Sequence, residues 1–224
     1  MPLQGNAAIA MWWNVEADHR EEFHEWHSKE HFPERMSVPG FLRGSRWQAG
    51  DDSGDMFVLY ELAGYETLTA PAYRARLNDP TPWSVKMMPL HRGMMRSQCR
   101  IAASRGHGIG RTVATLRLSP LTGEEARLEA AVIAALDLLV ARPGIVAAHF
   151  LRTETPDAAP TTEQQIRGGD AAADWIVLAI GHGAAPAEGL AAVLDPATLD
   201  ANGAGAERGL SSFDLIHAVT PQDL

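Results

Sequence analysis

The sequence repeats one pattern twice, and this repetition limits the folds that it can adopt. In each copy an apolar strand leads to a helical stretch, then to a Pro-Gly pair and a second strand. The runs are Pro39-Gly40-Phe41-Leu42 and Pro143-Gly144-Ile145-Val146, and their prolines are 104 residues apart. Proline and glycine end a helix, because proline cannot donate a backbone hydrogen bond and glycine adopts backbone angles closed to other residues. The pattern predicts two diverged copies of one α/β unit.

In the first copy, apolar runs and turn residues predict the order β-α-β-β-α-β of a ferredoxin-like unit. Asp18 is the predicted N-cap of the first helix, with Glu21 completing a capping box. The predicted strands cover residues 7–15, 41–48, 55–62 and 94–103; the helices cover 19–35 and 65–78, and a proline-rich loop covers 80–89.

The second copy repeats that order, with a long polar loop inserted at residues 154–173. Its predicted strands cover 111–118, 145–153, 174–181 and 211–219, and its helices cover 124–141 and 186–194. The glycine-rich linker 104–110 divides the chain into residues 1–105, with the candidate site, and a degenerate unit at 106–224. Each unit leaves one sheet face uncovered, so we expect the two faces to stack as an intrachain pseudo-dimeric α+β barrel.

Composition excludes several classes of function. The formal net charge is −9 at pH 7, which disfavours nucleic acid as a partner. No apolar run reaches the roughly 20 residues that a membrane span needs, and the N-terminus lacks a basic region followed by an apolar segment. The single cysteine, Cys99, is interpreted as a buried structural thiol. We therefore expect a cytoplasmic location.

Three histidines on the predicted first helix are the main candidates for chemistry. At α-helical spacing His24, His27 and His31 share one stripe beside the apolar face of Trp26. Three interpretations are open: solvated or interface histidines, a ligand cavity, or a metal site. His27-Ser28-Lys29-Glu30-His31 matches the H-x-x-E-H pattern of some zinc proteases. Such a protease also requires a third ligand from a downstream helix and a much larger architecture, and so short a pattern often occurs by chance, so no metal is predicted.

Several strand residues could complete a cavity on the same unit. Trp12 and Asn14 share one face of the first strand, and Arg43 lies among aromatic residues on the second, where Phe41, Ser45 and Trp47 are predicted to share its face. Arg43 could bind an enolate or carboxylate oxygen, or Arg43 or Arg46 could pair with Glu61. Tyr60 could donate a hydrogen bond into a pocket or be a core aromatic residue.

The first helix resembles a known family. Glu22-Phe23-His24-Glu25-Trp26-His27, Glu30-His31-Phe32-Pro33-Glu34-Arg35 and Val38-Pro39-Gly40-Phe41-Leu42-Arg43-Gly44 resemble the dimeric α+β barrel superfamily, and within it the EthD-like and related uncharacterised proteins. The resemblance implies a cavity between sheet and helices for a small, often aromatic or polyketide-like molecule. It also implies activities that range from cofactor-independent monooxygenases to isomerases, dehydratases and haem-using branches, so the fold does not select a reaction.

The leading hypothesis is a small-molecule enzyme without a cofactor that carries out proton transfer in oxygenation, isomerisation or dehydration. His31 is the proton-transfer group and His27 its partner, while Asn14, Trp12, His24, Arg43 and Tyr60 contact the substrate. The alternative is a non-catalytic binding or assembly protein whose cavity is filled by tryptophans, and a haem-binding protein is a third hypothesis. The sequence leaves open a homodimer of the fused chain.

Overall fold

The computed structural model describes residues 3–224, which contain the order β-α-β-β-α-β twice. The eight strands form a closed barrel in the order β1-β3-β2-β8-β5-β7-β6-β4, and this confirms the predicted α+β barrel of two ferredoxin-like units. The strands are β1 (Ala7–Asn14), β2 (Phe41–Gln48), β3 (Asp55–Leu62), β4 (Arg92–Gly106), β5 (Thr112–Leu118), β6 (Ile145–Thr153), β7 (Trp175–Gly181) and β8 (Gly209–Val219).

The helices follow the prediction in the second copy more closely than in the first. The predicted helix 124–141 is α5, whose buried Leu128, Val132, Leu136 and Leu139 recur at helical spacing. The helices are α1 (Arg20–Trp26), α2 (Phe32–Met36), α3 (Pro71–Asn78), α4 (Pro82–Met87), α5 (Glu125–Val140), α6 (Thr162–Arg167), α7 (Ala185–Val193) and α8 (Pro196–Ala201). None of the helices between residues 3 and 224 is long and apolar enough to cross a membrane.

Three local predictions were wrong. Asp18 does not cap the first helix: it lies inside a 3₁₀ turn (Ala17–His19), and neither that turn nor α1 has a side-chain cap. The predicted proline-rich loop contains α4, because Pro82 takes the first helical position and the Thr81 hydroxyl accepts a 3.0 Å hydrogen bond from the Ser84 N–H. The predicted polar loop at 154–173 contains α6.

Each Pro-Gly pair leads into a β-bulge. The antiparallel pairing of β2 with β3 shifts between Phe41 and Arg43, and that of β6 with β7 shifts between Ile145 and Ala147. The first bulge corrects the predicted facing of β2: Phe41 packs with Tyr60, whereas Arg43 lies on the opposite face with Ser45 and Trp47. The prediction missed this because a bulge interrupts the two-residue alternation of a strand.

The described residues form two compact units. The first unit comprises residues 4–99, 154–172 and 216–224; the second consists mainly of residues 100–153 and 173–215. Each has its own hydrophobic core: Trp26, Phe32 and Tyr60 belong to the core of the first unit, and Leu136, Phe150 and Val177 to that of the second. The compact units therefore do not coincide with the sequence halves 1–105 and 106–224, because residues 154–172 and 216–224 belong to the first unit. The division of the chain into these two halves stays a prediction.

A substitution at Gly40 tests whether the turn before β2 requires glycine. Its φ is +95°, and a Cβ placed there would lie 2.5 Å from the Thr67 hydroxyl oxygen, whereas a Cβ on Gly50 would meet nothing within 4 Å. We expect Gly40→Ala to lower the free energy of unfolding by about 1–3 kcal/mol and Gly50→Ala to change it by less than about 0.5 kcal/mol, as measured by urea denaturation. Equal midpoints for the two variants would contradict this account of the turn.

Candidate functional site

The first helical segment changes from α to π geometry at the two leading histidines. Residues His27–His31 form a π-helical turn, in which the N–H of Phe32 donates to the carbonyl of His27, five residues earlier. Pro33 contributes to this irregularity, because it has no N–H for the carbonyl of Lys29. π turns are rare and frequent at functional sites. In this turn the rings of His27 and His31 lie 5.2 Å apart between centroids.

His27 lies in an aromatic environment. It is 1% exposed, and its ring centroid lies 4.5 Å from that of Phe32 and 5.7 Å from those of Trp13 and Phe23. Its Nδ1 atom has no hydrogen-bond partner among the described residues. An imidazole without such a partner in apolar surroundings favours the uncharged form.

Burial holds both histidines in the neutral state. Burial, followed by the positive charge of Arg46, lowers the pKa of His27 well below its usual range. Burial, followed by the charge of Arg35, does the same to the pKa of His31. The half-buried His91 is a third neighbour that the sequence analysis missed: its Nδ1 lies 2.9 Å from the carbonyl oxygen of Met88, and burial lowers its pKa too. The histidines of this region are therefore neutral at pH 7.

His31 borders a small polar cavity in the first unit. Its volume is about 30 Å³, enough for one or two water molecules and far below the roughly 300–1,000 Å³ of sites that enclose organic ligands. Apolar side chains form part of the wall, and polar side chains from several elements form the rest. The lining residues are Ile9, Met11, His31, Arg35, Tyr60, Tyr73, Leu77, Arg96, Thr161, Glu163, Gln164 and Arg167.

Three buried polar atoms on this lining lack hydrogen-bond partners among residues 3–224. They are Nδ1 of His31, Nη1 of Arg35 and the hydroxyl oxygen of Tyr60. Buried polar atoms are nearly always paired, and leaving one unpaired costs about 1–3 kcal/mol. Burial raises the pKa of Tyr60, so its phenol stays protonated and can donate. The cavity therefore presents one imidazole and two donors to anything that enters it.

A buried ion pair closes the cavity. Arg35 on α2 is 2% exposed, and its Nη2 lies 2.5 Å from both carboxylate oxygens of Glu163 on α6. Burial alone would lower the pKa of Arg35, but the Glu163 carboxylate raises it above its usual value. Arg35 is therefore charged at any physiological pH. Its second amino group, Nη1, takes no part in this pair and has no partner among the described residues.

The segment 154–172, which carries Glu163, packs over the cavity. Its ends bond to β4: the N–H of Glu154 donates to the carbonyl of Gln98, and the N–H of Arg96 donates to that of Ala171, at 2.8 and 2.7 Å. α6 begins with a capping box between Thr161 and Gln164. The segment is thus a short, mostly polar cover whose buried anchor is Glu163.

The structure places His31 and Tyr60 together on the cavity but distributes the other predicted site residues elsewhere. His27 packs behind His31 and is absent from the lining. His24 is half-buried on α1. Trp12 lies on the opposite face of β1 from the core residue Trp13, and its ring centroid is 5.0 Å from that of Phe57.

Asn14 and Arg43 make structural contacts. The Asn14 side-chain amide donates 2.7 Å hydrogen bonds to the Ser53 carbonyl and the Asp55 carboxylate, which fix the turn between β2 and β3. Arg43 forms a 2.6 Å ion pair with Glu61, the alternative partner that the sequence analysis left open.

Sequence reasoning did not place six polar residues of the lining at a site, namely Arg35, Arg96, Thr161, Glu163, Gln164 and Arg167. The Arg96 guanidinium donates a 3.2 Å hydrogen bond to the Tyr73 hydroxyl. One signal was present for Glu163: Thr161 and Gln164 have the spacing of a capping box, which indicates a helix start inside the supposed loop. Arg35 also lies four residues after His31 along the helical segment.

Comparisons with known proteins establish the fold. Neither a protein-family model nor a curated protein sequence matches this chain. A solved anthrone oxidase-like protein is 13% identical, with a TM-score of 0.64 over 97% of this chain and 94% of its own. A protein of Fusobacterium nucleatum described as a putative monooxygenase is 9% identical, with a TM-score of 0.62 over 96% of this chain and 95% of its own. A heme-binding protein of Thermus thermophilus is 10% identical, with a TM-score of 0.53 over 97% and 93%. At such low identities these likenesses show a shared fold alone.

The buried histidines predict an acid-sensitive native state. His27 and His31 are neutral when folded, whereas in the unfolded chain they take up protons near pH 6.5. Their contribution to stability is therefore complete above pH 6.5 and is lost as the pH falls below it. Each contributes a slope of up to about 1.4 kcal/mol per pH unit.

Replacing His27 by Phe keeps a ring at this position and removes the titration. We expect His27→Phe to unfold like the wild type at pH 7.5 and to lose less stability between pH 6.5 and 5, as measured by urea denaturation at each pH. His107→Gln, at an exposed position, is the matched control for the loss of a histidine, because it leaves the buried His27 and His31 in place. The same slope in His27→Phe as in the wild type would show that His27 is not held neutral.

Proposed function

We propose that this chain, which has the fold of the dimeric α+β barrel superfamily, binds a small phenolic or enolisable carbonyl compound and removes a proton from it at His31. The observation that carries the proposal is the convergence of three unpartnered buried atoms, from His31, Arg35 and Tyr60, on one cavity. The EthD-like assignment within the superfamily stays a prediction.

The three groups divide the chemistry between them. A neutral imidazole can accept a proton, and the Tyr60 phenol and Arg35 guanidinium can donate hydrogen bonds to the oxygen on which negative charge develops. One donor to a developing oxyanion lowers a barrier by about 3–4 kcal/mol. Imidazolium is unfavourable in this buried site, so His31 takes the proton only when the neighbouring oxyanion offsets its charge. Proton transfer is thus coupled to formation of the substrate anion.

Oxygenation, isomerisation and dehydration can all begin with this step. The resemblance to the anthrone oxidase-like protein and to the Fusobacterium nucleatum protein supports oxygenation, with dioxygen as the oxidant of the substrate anion. A phenolate or enolate whose charge is delocalised over an aromatic system can transfer one electron to dioxygen, and the resulting radical pair can combine to a peroxide. In this route dioxygen is the oxidant and no organic cofactor is required.

Substrate entry requires the cover to move. A cavity of about 30 Å³ does not admit an aromatic ring. We infer that segment 154–172 opens, since short polar segments with few buried apolar contacts are the first to open in folded proteins. Its main buried anchor is the Arg35–Glu163 pair. Opening would expose His31 and Tyr60 together with the Arg35 guanidinium.

The first test is a ligand panel of phenols, anthrones, lactones and quinols, with haemin included, assayed by thermal shift and then by oxygen uptake and absorbance. We expect a phenolic or enolisable compound to stabilise the wild type and to be turned over. His31→Gln and Tyr60→Phe should each lower kcat/KM by about 100-fold or more while unfolding within a few degrees of the wild type. His19→Gln, at an exposed position just before α1, is the matched control and should retain full turnover.

Unchanged turnover in His31→Gln would sink the proton-transfer role. Binding without turnover, lost in Tyr60→Phe, would favour the alternative of a non-catalytic binding protein. A haemin complex with a Soret band that disappears in His31→Gln would favour the haem-binding hypothesis instead.

The Glu163→Gln substitution tests whether segment 154–172 opens to admit a ligand. The amide keeps the shape of the side chain but removes the charge that holds Arg35. We expect faster hydrogen exchange in residues 154–172 and tighter binding of the panel ligand, because less free energy is spent on opening. Asp79→Asn, at an exposed residue outside the cavity, should change neither. Slower hydrogen exchange in residues 154–172 would contradict the proposal that this segment opens. Faster exchange combined with weaker binding of the panel ligand would contradict it as well.

A further inference from the structure

Arg46 is a buried cation without a counter-ion. It is 3% exposed on β2, and Nη2 donates a 2.8 Å hydrogen bond to the Ser28 hydroxyl. Its Nε and Nη1 atoms have no partner, and no carboxylate of residues 3–224 pairs with it. The buried Arg35 and the largely buried Arg43 of the first unit differ in this respect, because Arg35 pairs with Glu163 and Arg43 with Glu61.

This arrangement is energetically unusual. Arginine is almost never fully buried unless it is paired, since removing a charge from water costs several kcal/mol. Burial lowers the pKa of Arg46 only to about 10, so the group stays charged at neutral pH. The Phe32 ring, 5.9 Å from the guanidinium carbon, compensates for a small part of the cost through a cation–π contact. Most of the charge remains unbalanced.

Three polar side chains lie near Arg46 and can act as hydrogen-bond donors. Ser28 and His24 lie on the first helical segment, and the ring of His217 stacks on Phe32 at 5.5 Å between centroids. Burial and then the Arg46 charge lower the pKa of His24 to about 4 and also lower that of His217. His24, Ser28 and His217 are only half-buried, so these neighbours of Arg46 are in contact with solvent.

We propose that Arg46, together with Ser28, His24 and His217, binds a small oxyanion, a phosphate or a carboxylate. The planar guanidinium has unpartnered N–H groups at Nε and Nη1. They point to different edges of the plane, so a small oxyanion takes charge-assisted hydrogen bonds from one of them together with the adjacent N–H of Nη2 that Ser28 leaves open. The hydroxyl and imidazole N–H groups can donate to the remaining oxygens.

This oxyanion site is separate from the cavity at His31. Arg46 does not line that cavity, so the proposal does not depend on the proposed reaction. With a formal net charge of −9 at pH 7 the protein repels anions overall, so a stabilising response to an oxyanion indicates a specific site.

The test is thermal unfolding of the wild type in chloride, phosphate and acetate at matched ionic strength, followed by calorimetric titration. We expect one of the two oxyanions to raise Tm by several degrees above chloride, and which one does so identifies the ligand as phosphate or carboxylate. Arg46→Met should abolish this shift. In chloride that variant should be at least as stable as the wild type, because it removes an unbalanced buried charge.

Two further variants keep the result interpretable. Arg43→Met, on the same strand, should lower Tm by leaving Glu61 unpaired and yet keep the oxyanion shift. Arg46→Lys keeps a charge without the planar set of donors and should weaken binding at least tenfold even if Arg46→Met fails to fold. The proposal is overturned if Arg46→Met or Arg46→Lys shows the wild-type shift, if neither oxyanion stabilises the wild type, or if folded Arg46→Met loses several degrees in chloride.

Discussion

The ion pair between Arg35 and Glu163 joins two residues that are 128 positions apart in the chain and keeps both away from water. Segment 154–172 is mostly polar, and the pair gives it a buried anchor over the cavity at His31. While the cover is in place, the low dielectric around the imidazoles keeps them uncharged. The pair thus acts together with the backbone hydrogen bonds to β4 to hold this segment over the cavity, and the segment limits the volume of the cavity and its access to solvent.

The order β-α-β-β-α-β occurs twice in the described residues, and the second occurrence shows that this element order does not require the site. Counted from the Pro-Gly pair, Ala135 of α5 stands where the first copy has His31, and α5 continues as one α-helix from Glu125 to Val140. Its buried face is aliphatic and its helix is regular. The first copy instead contains a π turn, buried polar atoms without hydrogen-bond partners and the guanidinium of Arg46, which has no counter-ion among residues 3–224. Proteins retain such unfavourable features mainly where they serve function.

Much of the fold could be predicted from the sequence, because strand alternation, helical spacing and the Pro-Gly turns are local signals. His31 was found because three histidines share one stripe of the first helix and imidazole can transfer a proton near neutral pH, and Tyr60 was found as a possible hydrogen-bond donor on a neighbouring strand. The facing of Phe41 could not be predicted, since a bulge changes register without any change in composition. Glu163 was hidden for a different reason: its role is defined by Arg35, and pairing between distant residues leaves no periodic pattern in a single sequence.

The π turn has a geometric consequence for the whole helical segment. It accommodates one residue more than an α turn, so everything after it is rotated by about 100° relative to an uninterrupted helix. The buried face of the helical segment therefore changes direction at the turn. Before His27 the buried face carries Phe23 and Trp26, and after His31 it carries Phe32 and Met36. The Arg35 side chain is buried because it lies on this second face. Deletion of the exposed Lys29 within the turn would restore one continuous apolar face and would move Arg35 out of line with Glu163, while leaving every side chain of the cavity in the sequence.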